Sequence, residues 1–225
     1  MKQDKIVEIF DSISNSYDLV NRVVSFGIDK KWREIAIDEV LKLHQPSKIL
    51  DVACGTGDMI EIWQKKSKAT ICGIDPSKGM LEVAKQRFKD VKFYKAYATN
   101  IPVEDECADT ISISFGIRNV VEIEKAIKEF NRVLSKNGIV VVLEFTKSKN
   151  KLRKFVDFYT NNILPKIGGM ISKHEDAYEY LAKSIENFYT VEELISLFEK
   201  QNFKLKTLKS LNFSQVSLII LEKQD

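Results

Sequence analysis

From Lys48 to Thr146 the chain alternates short apolar runs with segments of helical period, and no other feature restricts its fold as tightly. KILDVA, ATICGID, VKFYKAY, DTISISF and GIVVVLEF have the length and β-branched content of strands. Between them lie SKGMLEVAKQRF and EIEKAIKEFNRVL. In the second, Ile123, Ile127, Phe130 and Leu134 recur at +4, +3 and +4, one apolar stripe that can lie on a sheet. Lys136-Asn137-Gly138 is expected to stop that helix, with Gly138 suited to a left-handed cap. Such alternation predicts an α/β fold of mostly parallel strands, with helices on both faces and right-handed crossovers.

The flanks differ. Residues 4–44 read as two or three helices broken near Tyr17 to Gly27, and 150–187 as helical with a break at Pro165 to Gly169. Thr190-x-x-Glu193 is a capping-box start for a helix to about Gln201. FKLKTLKSL and FSQVSLIILEK read as two final strands joined near Asn212. With 225 residues and 44% apolar content, one domain spanning 1–225 is expected. Its parts would be a helical cover at 1–44, a ligand-binding core at 48–146, a second helical cover at 150–187, and a closing helix and hairpin at 190–225. The extra helices are expected to cover one edge of the sheet and so to form a substrate pocket.

Charge narrows the partners. A net charge of +3, from 35 basic and 32 acidic residues, gives no case for nucleic-acid binding. Lys147, Lys149, Lys151, Arg153 and Lys154 fall within eight residues, as a solvated helix start or a contact for anionic lipid headgroups. The start MKQDKIVEIFDS is too acidic for a secretory signal, and no stretch approaches the roughly 20 apolar residues of a spanning helix. Cys54, Cys72 and Cys107 form no Cys-x-x-Cys pair, and zinc-ligand spacing is absent. A reduced, cytoplasmic, metal-free protein is expected.

The strand KIL runs into DVACGTG, the first strand-to-helix turn, where open α/β sheets bind ligands. Gly55 and Gly57 are followed by Ile60 where a dinucleotide fingerprint has its third glycine. Asp58 stands where a phosphate-binding loop has lysine, and an acid there would repel phosphate. Asp75, in CGIDPS, lies 18 residues beyond Gly57 and can accept hydrogen bonds from two ribose hydroxyls, or serve the helix that begins after Pro76-Ser77. A ligand with ribose, without pyrophosphate and tolerant of acids matches S-adenosylmethionine, whose amino group Asp51 could help bind.

The blocks VEIFDSISNSYDLVNRVVSFGIDKKWR, ILDVACGTGD, DTISISFGIRNV, RVLSKNGIVVVLEF, FYTNNILPKIG and YEYLAKSI resemble the class I C-methyltransferases of menaquinone and ubiquinone biosynthesis. The pairing of SFGIRNV with YDLVNRVVSFG is the selective part. The resemblance implies a Rossmann-like sheet of seven mostly parallel strands ending in an antiparallel hairpin. It implies S-adenosylmethionine contacts at Thr56, Asp75, Tyr97, Ala98 and Ser114, all at carboxyl ends of expected strands. Tyr97 replaces the acid or amide common in the family, which leaves the adenine amine to backbone or Asn100, and Leu-Pro-Phe becomes Ile101-Pro102-Val103. The glycine-containing strand start usual in the family's C-terminal hairpin is missing from NFSQVSLIILEK.

The implied reaction methylates a ring carbon of a polyprenyl hydroquinone, with demethylmenaquinol favoured. A phenol of pKa near 10 must lose its proton to become a nucleophile. Arg118, in FGIRN, is expected to face the pocket and favour that anion, unless it forms a structural ion pair with Glu122 or Glu144. A guanidinium within about 4–6 Å lowers a partner's pKa by roughly 1–3 units but is a poor base. Tyr17, Asp18 and His174 are candidate bases or orienters, with Asn119 and Tyr178 behind them. On one helix His174, Tyr178 and Leu181 would share a face. Phe155, Phe158, Tyr159, Ile163, Leu164, Ile167 and Met170 offer an apolar surface for a prenyl tail and for peripheral membrane contact, or a face packed on the core. A homodimer is left open.

Overall fold

The computed structural model describes residues 2–147, 175–211 and 216–224. The N-terminal segment forms α1 (Gln3–Ile13), α2 (Tyr17–Val24) and α3 (Ile28–Leu43). An alternating core follows: β1 (Lys48–Val52), α4 (Asp58–Lys66), β2 (Thr70–Asp75), α5 (Lys78–Arg87), β3 (Lys92–Lys95), β4 (Ala108–Ser114), α6 (Ile123–Val133) and β5 (Leu134–Phe145). After 174 come α7 (Glu175–Glu186), α8 (Val191–Glu199), β6 (Phe203–Leu211) and β7 (Val216–Lys223). All seven strands join one sheet in the order β3-β2-β1-β4-β5-β7-β6. β1 pairs in parallel with both β2 and β4, so strand order reverses at β1 and β4. β7 runs antiparallel to both neighbours, β5 and β6.

Period-two alternation drives the layering. Val140 and Val142 of β5 and Ile219 and Leu221 of β7 face α6 and α8, where Phe130 and Phe198 are fully buried. Ile139, Val141 and Leu143 of β5, with Leu218 and Ile220 of β7, face α3 and α4, around the fully buried Trp63. Each such side chain contributes about 1.5–3 kcal/mol relative to exposure. A third, smaller cluster joins Ile13, Val20, Ala177 and Leu181 of α1, α2 and α7 to Met80 of α5.

Several expectations are met and several corrected. The stripe Ile123, Ile127, Phe130 and Leu134 is buried throughout. The capping box is present: the Glu193 N–H donates to Thr190 Oγ1 at 3.2 Å, and the Thr190 N–H to Glu193 Oε2 at 2.8 Å. The expected break at Tyr17 to Gly27 is instead largely helix, α2, with breaks on either side. Gly138 is not the left-handed cap. α6 stops at Val133 and the chain passes directly into β5, where Asn137 carries the positive φ of 59°. At Gly138 a Cβ would come within 2.9 Å of Leu134 and the Ser135 carbonyl, so closeness excludes a side chain there.

The cover is also placed differently. α3 buries Trp32, Ala36, Ile37 and Val40 against the face of the sheet, while α1 and α2 contribute walls to a cleft at the carboxyl ends of β1, β2 and β4. The break at Pro165 to Gly169, the lysine-rich run after Lys147, the apolar surface from Phe155 to Met170 and the turn at Asn212 lie outside the described residues. Among the described residues no helix is long and apolar enough to cross a membrane.

Candidate active site

At the carboxyl ends of β1 and β4, where strand order reverses, lies a cleft of about 960 Å³ including its open mouth. Two residues at these strand ends, Ala53 and Phe115, hold positive φ values of 51° and 56°, and both line the cleft. Left-handed backbone at a non-glycine residue costs about 1–3 kcal/mol and concentrates at functional sites. Gly55 and Gly57 continue the turn with φ of 54° and 94°. A Cβ on Gly57 would meet the Phe88 ring at 2.5 Å, whereas one on Gly55 would meet nothing within 4 Å. The first glycine is therefore open to the cleft and the second is needed for packing.

Asp51 sits in register with Gly73 of β2 and Ser112 of β4 and is 1% exposed. Trp63 Nε1 donates to Ser112 Oγ at 3.1 Å, and that hydroxyl donates to Asp51 Oδ1 at 2.6 Å. The second oxygen, Asp51 Oδ2, is buried and has no partner among the described residues. Burial pushes the Asp51 carboxyl up to about 7, with the Ser112 hydrogen bond and the Arg33 charge pulling the other way. Asp75, at the end of β2, accepts from the Gly55 and Ser77 N–H groups, each at 2.8 Å, one on each oxygen. Burial raises it to about 6 against those two hydrogen bonds. A carboxylate oxygen has more than one acceptor direction, so Asp75 can still receive hydroxyls.

The remaining cofactor candidates all reach the cleft. Thr56, Tyr97, Ala98 and Ser114 line it, and Ser114 Oγ is buried with no partner among the described residues. Asn100, by contrast, is exposed and does not line the cleft. Thr56 donates through Oγ1 to Asp18 Oδ1 at 2.6 Å, and Arg87 Nη1 donates to Asp18 Oδ2 at 3.1 Å. Asp58 does not stand as a lone acid at the helix mouth: Arg87 and Arg22 reach it at 3.0 and 3.5 Å.

α1 and α2 roof the cleft through polar links that sequence reasoning did not find. The Gln3 amide donates to the Asn119 carbonyl at 3.0 Å and accepts from the Val121 N–H at 2.9 Å. Tyr97 donates through its hydroxyl to Asp4 at 2.6 Å. Asp11 Oδ1 accepts from Ser77 Oγ at 2.5 Å and from the Gly79 N–H at 2.8 Å. Their spacing in α1 is that of an ordinary amphipathic helix, which carries no signal of what lies opposite.

The candidates for proton chemistry separate. Tyr17 and Asp18 line the cleft together with Asn119. Arg118 does not line it. Its side chain is 5% exposed, with Nη1 2.6 Å from Glu144 Oε1 and 2.7 Å from the Phe115 carbonyl, and Nε 3.2 Å from Ser184 Oγ. The structural ion pair with Glu144 is thus present, and the expectation that Arg118 faces the pocket is corrected: the buried Glu144 carboxylate draws the guanidinium inward. Burial pushes the Tyr17 phenol up, and Arg118, the Asn21 hydrogen bond and Arg33 pull it back. Tyr180 donates to Asn119 Oδ1 at 3.0 Å, and its phenol is likewise raised by burial and lowered by Arg118. His174 and the Tyr178 side chain lie outside the described residues, so the face they would share with Leu181 does too.

Acids at the ends of β1 and β2, beside buried polar atoms that have no partner among the described residues, suit a nucleoside cofactor, and a reversed β7 between β5 and β6 is the strand arrangement of the class I methyltransferase fold. Comparison with solved structures gives the same architecture. A SAM-dependent methyltransferase from Thermotoga maritima matches with a TM-score of 0.68 over 96% of this chain and 99% of that one, at 21% identity, a likeness of fold.

The model of the ubiE/COQ5 methyltransferase family matches residues 1–221, and the chain belongs to that family. It is an S-adenosylmethionine-dependent methyltransferase. A Campylobacter jejuni protein named ubiquinone/menaquinone biosynthesis C-methyltransferase UbiE is 50% identical over 99% of both chains. A demethylmenaquinone methyltransferase of Thermotoga maritima is 36% identical over 95% of this chain and 94% of its own. The resemblance drawn from SFGIRNV and YDLVNRVVSFG is borne out.

Proposed function

We propose that this chain, acting as a single unit, methylates a ring carbon of a polyprenyl hydroquinone, converting demethylmenaquinol to menaquinol. The observation that carries the reading is the Asp51 carboxyl: a buried acid of the cleft wall, one oxygen of which has no partner among the described residues, suits a ligand with an ammonium and no pyrophosphate. Asp75 would take the ribose hydroxyls, Gly55, Thr56 and Gly57 would form the turn beneath them, Tyr97 and Ala98 would flank the adenine, and Ser114 would close the end of β4. When bound, the cofactor supplies a methyl group on a cationic sulfur.

The protein's own contribution is orientation and charge. The roof of α1 and α2 narrows access to the cleft and places Tyr17 and Asp18 on its wall. Asp18 is the candidate proton acceptor, a cleft carboxylate that burial raises and that Thr56 and Arg87 pull back. Arg118 acts at a distance. It favours the ionised form of both phenols it neighbours, Tyr17 and Tyr180, and a hydroquinone hydroxyl between them would feel the same field. Its pairing with Glu144 also fixes the loop from Phe115 to Asn119. His174 is proposed as a further orienter. The prenyl tail would require peripheral, reversible contact with the inner face of the membrane, and a homodimer is compatible with this.

The test is incubation of purified protein with methyl-labelled cofactor and demethylmenaquinone or benzoquinone analogues that lack the ring methyl, each reduced or oxidised. Label in the reduced naphthoquinol supports the reading. Label in the benzoquinol alone replaces the substrate, and label in neither removes the function.

A further inference from the structure

Two residues of α7, Tyr180 and Ser184, stand four apart and so share one face of the helix. They hold two consecutive residues of the loop after β4. Arg118 Nε donates to Ser184 Oγ at 3.2 Å, and Tyr180 donates through its hydroxyl to Asn119 Oδ1 at 3.0 Å. Asn119 is 8% exposed and lines the cleft, whereas Tyr180 does not line it. The direction of the Asn119 carboxamide is therefore set. Its oxygen is turned to Tyr180, and its Nδ2 lies 3.5 Å from the Phe115 carbonyl. Reversing the amide would bring two carbonyl oxygens together at that distance. Burial raises the Tyr180 phenol against the pull of the Arg118 charge, so its hydroxyl keeps the proton that it donates.

The Phe115 carbonyl already accepts from Arg118 Nη1 at 2.7 Å, and at 3.5 Å its hold on Asn119 Nδ2 is weak. The amide nitrogen keeps donor capacity for the cleft. We infer that Asn119 Nδ2 donates to the substrate oxygen on which negative charge gathers, and that Tyr180 is a positioning residue that keeps this donor aimed. The inference rests on the hydroquinone reading above and deepens it. Asp18 takes the phenol proton, and the electron pair of the ring carbon then takes the methyl from sulfur, which keeps the pair of the broken bond. The carbon's own hydrogen leaves as a proton to water, and Asp18 returns the first proton to the oxygen. Arg118 is turned to Glu144 and supplies only a field. A direct hydrogen bond from the amide strengthens as the oxygen becomes an anion, which lowers the barrier more than it tightens binding of the neutral phenol. In the run YEYLAKSI nothing sets Tyr180 apart from Tyr178.

Single-turnover methyl transfer from methyl-labelled cofactor to a reduced, short-tailed demethylmenaquinone tests this. Tyr180→Phe keeps the ring and removes the hydroxyl. It should slow transfer about 10-fold while leaving the hydroquinone concentration for half-maximal rate unchanged. Asn119→Leu removes the donor itself and should slow transfer about 100-fold. Tyr180→Phe added to Asn119→Leu should cost nothing further, because the hydroxyl acts through the amide; two separate structural roles would multiply instead. Affinity for S-adenosylhomocysteine equal to that of the wild type reports a folded chain in each variant. Losses that multiply in the double variant, or wild-type transfer in Asn119→Leu, overturn the role of the pair. A wild-type chain that binds S-adenosylhomocysteine and leaves the hydroquinone unlabelled overturns the reading beneath it.

Discussion

Arg118 and Glu144 meet at 2.6 Å beneath the loop that follows β4, with side chains 5% and 0% exposed. Burial pushes the Glu144 carboxyl up and the Arg118 charge holds it back, so the acid depends on its partner. Arg118→Ala should cost about 3–5 kcal/mol of stability, because it strands a buried carboxylate. Arg118→Met with Glu144→Gln should recover most of that loss in urea unfolding yet leave turnover low, because the field on Tyr17 and Tyr180 is gone. Full activity in the stable double variant would reduce Arg118 to a strut.

Asp51 and Asp75 make cofactor affinity depend on pH. Both are raised by burial, to about 7 and about 6. Each is protonated in both folded and unfolded chains below about pH 4; above that the unfolded chain ionises first, so each subtracts stability as pH rises toward its folded value. An ammonium beside Asp51 and hydroxyls on Asp75 favour the ionised forms. S-adenosylhomocysteine should therefore bind more tightly as pH rises from 5.5 to 7.5 and release protons on binding. Titrations near pH 6 in buffers of different ionisation enthalpy would detect the protons; affinity that is flat or falls with pH contradicts this.

The two glycines of the turn after β1 should fail differently. Gly57→Ala adds strain at a positive φ and a Cβ 2.5 Å from Phe88, and should lower stability by about 1–3 kcal/mol. Gly55→Ala carries the backbone strain without the clash, but its methyl would stand in the cleft. It should lose less stability and more cofactor affinity than Gly57→Ala. Thermal unfolding paired with calorimetry on both variants would show whether the order holds.

Asp11 touches the roof and not the cleft. Its carboxylate ties α1 to Ser77 and Gly79 at the start of α5. Asp11→Ala removes two links worth about 0.5–1.5 kcal/mol each, and should speed release of bound S-adenosylhomocysteine by up to about 5- to 150-fold. Stopped-flow displacement measures this; an unchanged off-rate means that the ligand leaves without the roof lifting.

Much of the core was legible because its periodicities are local. The strands at KILDVA and DTISISF, the stripe ending at Leu134 and the Thr190 capping box follow from spacing alone. Gly138 was misread because a bulge in β5 is set by pairing with β4: the register shifts between Ala108 and Thr110, and Asn137 takes the turn. Asp51, Gly55, Gly57 and Asp75 were singled out by the strand-turn pattern. Thr56, Tyr97, Ala98 and Ser114 were named through the family resemblance. Asp11 was not visible, because its role arises from α1 folding over strand ends far along the chain. The turn of Arg118 toward Glu144 was weighed as an alternative but could not be chosen, since a charge's direction depends on which acid is buried beside it.

The most direct test of the whole account is a crystal structure of this chain with S-adenosylhomocysteine. The account predicts density at the carboxyl ends of β1 and β4, with ribose on Asp75 and the amino-acid end at Asp51. An empty cleft in crystals that contain the compound, or density at any other place, would contradict it.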